Sequence, residues 1–220
     1  MDRVITIGRQ FGSGGHEIGH RLAKKLDIPF YDKEILTLTA ENSRFAESYL
    51  AKMDEQKPSF LNIGPTGIIS GAGIAPSIEG TINQFYNLSP NDQIFLEASK
   101  VMRSLAEKGP CVIVGRCADY ILRDVDTINI FVSASLEDRI SRKLALDENR
   151  EMTEKSMEKL IIQTDKNRSK FYEYYSHKVW GAAKNYHLCI DTSVIGIDGA
   201  VEIIIKFIDE FRKKNLMPDM

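Results

Sequence analysis

Apolar positions along the chain fall into two alternating rhythms. Residues 4–7 are a short run rich in β-branched side chains, followed at once by a glycine-rich stretch and then by Ile18, Leu22 and Leu26 at fourfold spacing. That succession predicts strand, loop and amphipathic helix. A second short strand is expected at 28–31, ending at Asp32, and helical sequence over 33–56, with Ile35, Leu36, Leu38, Tyr49, Leu50 and Met53 apolar. Residues 61–76 carry four glycines and two prolines, which predicts a long loop. At 93–108, Ile94, Phe95, Ala98, Val101, Met102 and Leu105 make one helical face, stopped by Gly109-Pro110. Continuous apolar runs at 111–114 and 128–132 read as strands buried on both faces of a parallel sheet. Charge-rich helical sequence fills 136–175, a last strand lies at 188–190, and a closing helix lies within 195–214. Strands alternating with helices predict one α/β domain over 1–220, three layers deep, around a mostly parallel sheet of about five strands.

Composition narrows the class. Hydrophobic residues make up 43% and charged residues 27% of 220, the balance of a soluble globular chain. Lys plus Arg number 29 against 31 Asp plus Glu, a net charge of −2. That balance argues against a nucleic acid polymer or an anionic membrane as partner and leaves room for a local basic pocket. Cys111, Cys117 and Cys189 show no metal-ligand spacing and read as free thiols of a reducing cytosol. With no signal-peptide core and no run of about 20 apolar residues, the expected location is cytoplasmic. Phe207, Ile208 and Phe211 read as core or as a homodimer surface.

The candidate chemistry starts at Gly8-Arg9-Gln10-Phe11-Gly12-Ser13-Gly14-Gly15. Glycines between strand and helix let backbone N–H groups approach an anion at the helix N-terminus. The phosphate loop G-x-x-x-x-G-K-[ST] is not satisfied: counted from the strand, the lysine position falls on Gly15 and the next two on His16 and Glu17. A dinucleotide loop G-x-G-x-x-G starts at Gly12-x-Gly14 but meets Glu17 at its third position, while Asp32 stands where a ribose-binding acid belongs. A tight turn without ligand is the third reading.

Arginines then gather at predicted strand and helix ends. Gly115-Arg116 follows a strand, where a guanidinium can fork onto phosphate or pair with Asp119. Ser135 is a candidate N-cap, and Arg139, Arg142 and Lys143 share the face of the helix it opens. Arg150 and Asp165-Lys166-Asn167-Arg168 add further charges. His20, His177 and His187 read as structural, Cys117 lacks a His–Asp arrangement, and Phe171, Tyr172, Tyr174, Tyr175 and Trp180 read mainly as packing.

Taken together, these segments resemble the cytidylate kinase-like family of P-loop nucleoside monophosphate kinases. The resemblance rests on the lysine-free loop 8–19, Phe30-Tyr31-Asp32, Val114-Gly115-Arg116 with Cys117 in place of an Asp, Arg139 with Arg142, Asp165 with Arg168, and Ile190-Asp191-Thr192-Ser193. It implies a P-loop kinase fold with a helical lid over 135–168 and an acceptor-side helical and loop insertion over 33–92. It further implies transfer of the ATP γ-phosphoryl group to a small nucleotide-like acceptor. Arg9, Gly12, Ser13, Gly14, Gly15, His16, Glu17 and Thr192 would meet ATP. Asp32 and Arg116 would meet the acceptor, and Arg139, Arg142, Arg168 and Asp165 would act in catalysis. Mg2+ is implied as a cofactor, with Glu17 or Asp32 as its candidate ligands; Arg9, Arg139 or Arg142 would supply the charge of the missing lysine. The competing expectation is a nucleotide-binding protein on a kinase fold that transfers nothing.

Overall fold

The computed structural model describes residues 3–42, 90–149 and 151–216. Five strands form one parallel sheet in the order β2-β3-β1-β4-β5. They are β1 (Val4–Arg9), β2 (Phe30–Tyr31), β3 (Val112–Val114), β4 (Thr127–Ser133) and β5 (Leu188–Asp191). β1 lies at the centre, with Ile5 opposite Val112 on one side and Ile128 on the other.

Seven α-helices accompany the strands among the described residues: α1 (Gly15–Leu26), α2 (Glu34–Asn42), α3 (Pro90–Glu107), α4 (Ala118–Ile121), α5 (Leu136–Leu144), α6 (Glu154–Ser176) and α7 (Thr192–Leu216). Strand side chains alternate between the two faces. Ile5, Ile7, Val112 and Val114 pack with Ile18 and Leu22 of α1 and Val201, Ile204 and Ile208 of α7. Val4 and Ile113 pack on the other face with Val101, Met102 and Leu105 of α3, Ile121 and Tyr172. A sheet covered on both faces explains the unbroken apolar runs, and the three-layer α/β/α expectation holds. Phe207 and Phe211 pack against the first of these clusters.

The structure sharpens two helical segments. The helical sequence of 136–175 divides in two: α5 ends at Leu144, a 3-10 turn follows at Asp147–Asn149, and α6 starts where the Thr153 hydroxyl accepts the Ser156 N–H. The closing helix begins earlier, at Thr192, and is broken at Gly196, whose φ of 69° is left-handed. The expected helix beyond Asn42, the 61–76 loop, most of the 33–92 insertion and Arg150 lie outside the described residues. No helix among the described residues is long and apolar enough to cross a membrane.

The topology itself marks the functional edge. The chain leaves β1 toward β2 and leaves the adjacent β3 toward β4, in opposite directions along the sheet. Such a switch opens a crevice beyond the carboxyl ends of the two strands, where α/β sheets bind ligands.

Candidate active site

The glycine loop leaves β1 along the crevice. Gln10 ties its start to the end of β4 by two bonds: its N–H donates to the Val132 carbonyl at 3.0 Å, and its side-chain oxygen accepts the Ala134 N–H at 3.1 Å. The Ser13 hydroxyl turns back onto the Gln10 carbonyl at 2.8 Å. Gly12 and Gly14 have φ of 81° and 86°, a left-handed backbone that favours glycine. The Ile18 N–H bonds to the Gly14 carbonyl. The N–H groups of residues 15–17 therefore stand ahead of the α1 hydrogen-bond ladder, the arrangement that attracts anions.

Side chains from distant elements hold the loop by its carbonyls. Arg142 donates to Gly12 O at 2.7 Å, Thr192 to Ser13 O at 2.8 Å, and Arg139 to Phe11 O at 3.4 Å. Asp165 accepts the Phe11 N–H at 2.7 Å and pairs with Arg139 at 2.5 Å. Burial pushes the Asp165 carboxyl up, against the downward pull of the Phe11 N–H, Arg139 and Arg168. The Lys143 ammonium and the Arg168 guanidinium both lie over the Phe11 ring. α5 and α6 thus clamp the loop from its carbonyl side.

A recess opens between the ends of β1 and β3, and Arg9, Arg116 and Arg168 all line it. Arg168 also donates to the Arg9 carbonyl at 3.1 Å. Asp32, at the end of β2, accepts from Arg9 at 3.4 Å with one oxygen and contacts His16 Nδ1 at 2.6 Å with the other. Burial alone would raise the Asp32 carboxyl. The His16 hydrogen bond and the Arg9 and Arg116 charges outweigh it and hold the carboxyl at about 2. Gly115, Arg116 and Cys117 are three consecutive left-handed residues, with φ of 79°, 55° and 57°. Non-glycine residues adopt that backbone at a cost of about 1–2 kcal/mol each, and such strain gathers at working sites.

The far wall of the recess gives Asp119, named from sequence only as a partner for Arg116, a different partner. Asp119 is buried on the four-residue helix α4 and accepts the Tyr172 hydroxyl at 2.7 Å. Burial raises the Asp119 carboxyl against the pull of Tyr172 and Lys178. Tyr186 and Trp180 complete this wall. An acid in an otherwise apolar strand–helix junction was the available signal for Asp119; its tyrosine partner is 53 positions away.

Of the residues singled out from sequence, Arg9, His16, Asp32, Arg116 and Arg168 come together around the recess and the Asp32 carboxylate. Arg139, Arg142, Asp165 and Thr192 gather on the carbonyl side of the loop. Glu17 stands apart, paired with Arg21 on the exposed face of α1.

The cytidylate kinase-like family model matches residues 4–194. The chain belongs to that family. A cytidylate kinase from Staphylothermus marinus is 29% identical over 142 residues, 64% of this chain and 78% of the relative. An uncharacterized protein from Eubacterium ventriosum has a crystal structure that superposes with a TM-score of 0.66 at 27% identity, covering 94% of this chain and 98% of that one. The shikimate kinase of Bacteroides thetaiotaomicron shares the fold at 12% identity, with a TM-score of 0.56 and coverage of 95% and 99%.

For a cytidylate kinase-like protein the implied cofactors are ATP and Mg2+. The residues present fit a triphosphate: the N–H groups of residues 15–17 stand ahead of the α1 ladder, Gly15 abuts the Arg9 stem, and Arg9, Arg116 and Arg168 line one recess. They do not fit a protein-held Mg2+. The usual hydroxyl position carries His16, Asp32 is engaged by Arg9 and His16, and Glu17 pairs with Arg21. No group of three metal-ligating side chains exists among the described residues.

Proposed function

We propose that this kinase-like protein transfers a phosphoryl group from ATP to a small nucleotide-like acceptor. The observation that carries this reading is the convergence of Arg9, Arg116 and Arg168 on one recess, with the Arg9 stem against Gly15 at the start of α1. Phosphoryl transfer asks little covalent chemistry of a protein and much positive charge held in fixed positions. The glycine loop would take the donor phosphates, and Arg116 and Arg168 would hold acceptor and transferred group in line.

Asp32, held at about 2, is anionic at neutral pH and a poor proton acceptor. Its task in this reading is to orient Arg9 and His16, because an acceptor phosphate is already nucleophilic. α5 and α6, clasped on the loop, would exclude water and so suppress hydrolysis of the donor.

The test is ADP formation from ATP and Mg2+ by the purified protein against a panel of nucleoside monophosphates, cytidine monophosphate first. Acceptor-dependent turnover that Arg116→Ala lowers by about 10²–10³ supports the reading. Saturable ATP binding with no turnover on any acceptor supports instead a binding protein on a kinase fold, the reading favoured by the absent lysine and hydroxyl.

A further inference from the structure

Gly15 poses a question that its backbone does not answer. It stands at the lysine position of the ordinary phosphate loop, yet it is not among the glycines with positive φ. Any L-residue could adopt its conformation. What excludes a side chain is space: a Cβ built on Gly15 would lie 2.5 Å from the Arg9 Cβ and 3.0 Å from the Arg9 Cγ. Carbon atoms do not approach as closely as 2.5 Å, and the Arg9 Cβ is fixed by its own backbone rather than carried on a movable tip. The stem of Arg9 therefore occupies the volume through which a lysine at position 15 would start.

We propose that Arg9 is the phosphate-binding cation of this loop, replacing from the end of β1 the lysine that its own stem excludes from position 15. This rests on the phosphotransferase reading for the identity of the anion, but the geometry stands by itself. Arg9 is 6% exposed and lines the recess with Arg116 and Arg168. Its backbone carbonyl is held by Arg168 at 3.1 Å. Its guanidinium reaches Asp32 at 3.4 Å, a long hydrogen bond, while the other Asp32 oxygen is taken by His16 at 2.6 Å. When the Arg9 contact is exchanged for an incoming phosphate, Asp32 keeps His16 as its second partner. Arginine also suits the task chemically, since its planar fork can meet two phosphate oxygens at once.

The relation between the two positions makes the test reciprocal. Four variants are compared with the wild type by direct titration of ATP, by turnover on the best acceptor and by thermal melting. Arg9→Met keeps the stem and removes the charge; it should weaken ATP binding at least tenfold and lower turnover by about 10²–10³. Gly15→Lys alone should lower Tm by several degrees, because the two stems collide. Arg9→Ala should lose binding as Arg9→Met does. Adding Gly15→Lys to Arg9→Ala should recover at least tenfold of that binding and most of the lost Tm, since the space is then open and the charge returns from the other position. A structural role for Arg9 would not produce that rescue.

Wild-type ATP affinity retained by Arg9→Met, or no gain from Gly15→Lys in the Arg9→Ala background, overturns the proposal even if the protein is an active kinase. If ATP binds but nothing is phosphorylated, the phosphotransferase reading fails while the titrations still decide the role of Arg9. A wild-type protein that does not bind ATP overturns both.

Discussion

Arg142 Nη1 lies 2.7 Å from the carbonyl oxygen of Gly12, so a charged side chain of α5 holds the glycine loop at its first left-handed turn. Thr192 repeats the contact one residue further on, at Ser13 O. A hydrogen bond from a charged donor contributes about 1.5–3 kcal/mol. Arg142→Ala should therefore loosen the loop and raise the KM for ATP about tenfold or more, with a smaller change in kcat. Steady-state kinetics at saturating acceptor check this. A collapse of kcat at unchanged KM would mean that Arg142 meets the transferring phosphoryl group instead.

Arg116 offers a way to separate stability from chemistry. Its φ of 55° is costly for arginine and relaxed for glycine. Arg116→Gly should leave Tm within a few degrees of wild type, relief of about 1 kcal/mol of strain offsetting lost contacts. Turnover should still fall by about 10²–10³. Calorimetry and kinetics on the same preparation test the pair of outcomes. A variant that is both stable and fully active would remove Arg116 from the site.

Asp32 links the site to acid stability. Its folded value of about 2 lies below the ordinary 3.8, so its contribution is fully present above pH 3.8 and is lost as pH falls toward 2. The shift corresponds to something on the order of 2 kcal/mol. Urea unfolding at about pH 5 and about pH 2.5 should show wild type losing more stability than Asp32→Asn over that interval. Parallel losses would mean that the carboxylate is not held by Arg9, Arg116 and His16.

These relationships also mark where reading the chain stops. Residues 111–114 and 128–132 were legible as strands because burial on both faces demands unbroken apolar runs, and 4–7 because of its β-branched side chains. Ser135 was legible as a cap because its hydroxyl acts within one turn, on Asp138 N–H. The break between α5 and α6 was not, because residues 145–153 contain neither Gly nor Pro and the restart depends on a Thr153 cap inside charge-rich sequence. Asp32, Arg116 and Arg168 were legible one at a time, as charges at strand or helix ends. Which arginines face the recess and which grip the loop carbonyls depends on packing between segments more than a hundred residues apart. The absence of a lysine at position 15 was plain; the Arg9 stem that accounts for it is a steric fact of the folded loop.

The Tyr172–Asp119 contact carries the last prediction. Asp119 is buried and its carboxyl is raised above the usual 3.8, chiefly by desolvation, with the Tyr172 hydroxyl opposing. A buried acid raised in the folded state binds more protons there than in the unfolded chain, so stability falls as pH rises through its titration. Tyr172→Phe removes the opposing donor and should raise the folded value further. Its destabilisation should be larger at about pH 8 than in acid, reaching about 1–3 kcal/mol, because ionisation leaves the buried carboxylate without its hydroxyl partner. At about pH 4 the loss should be smaller, because the neutral acid is easier to bury. Asp119→Asn in the Tyr172→Phe background should remove the difference between the two conditions. Urea denaturation of the three proteins at both pH values makes the comparison, and an equal loss for Tyr172→Phe at the two would show that the tyrosine acts through packing alone.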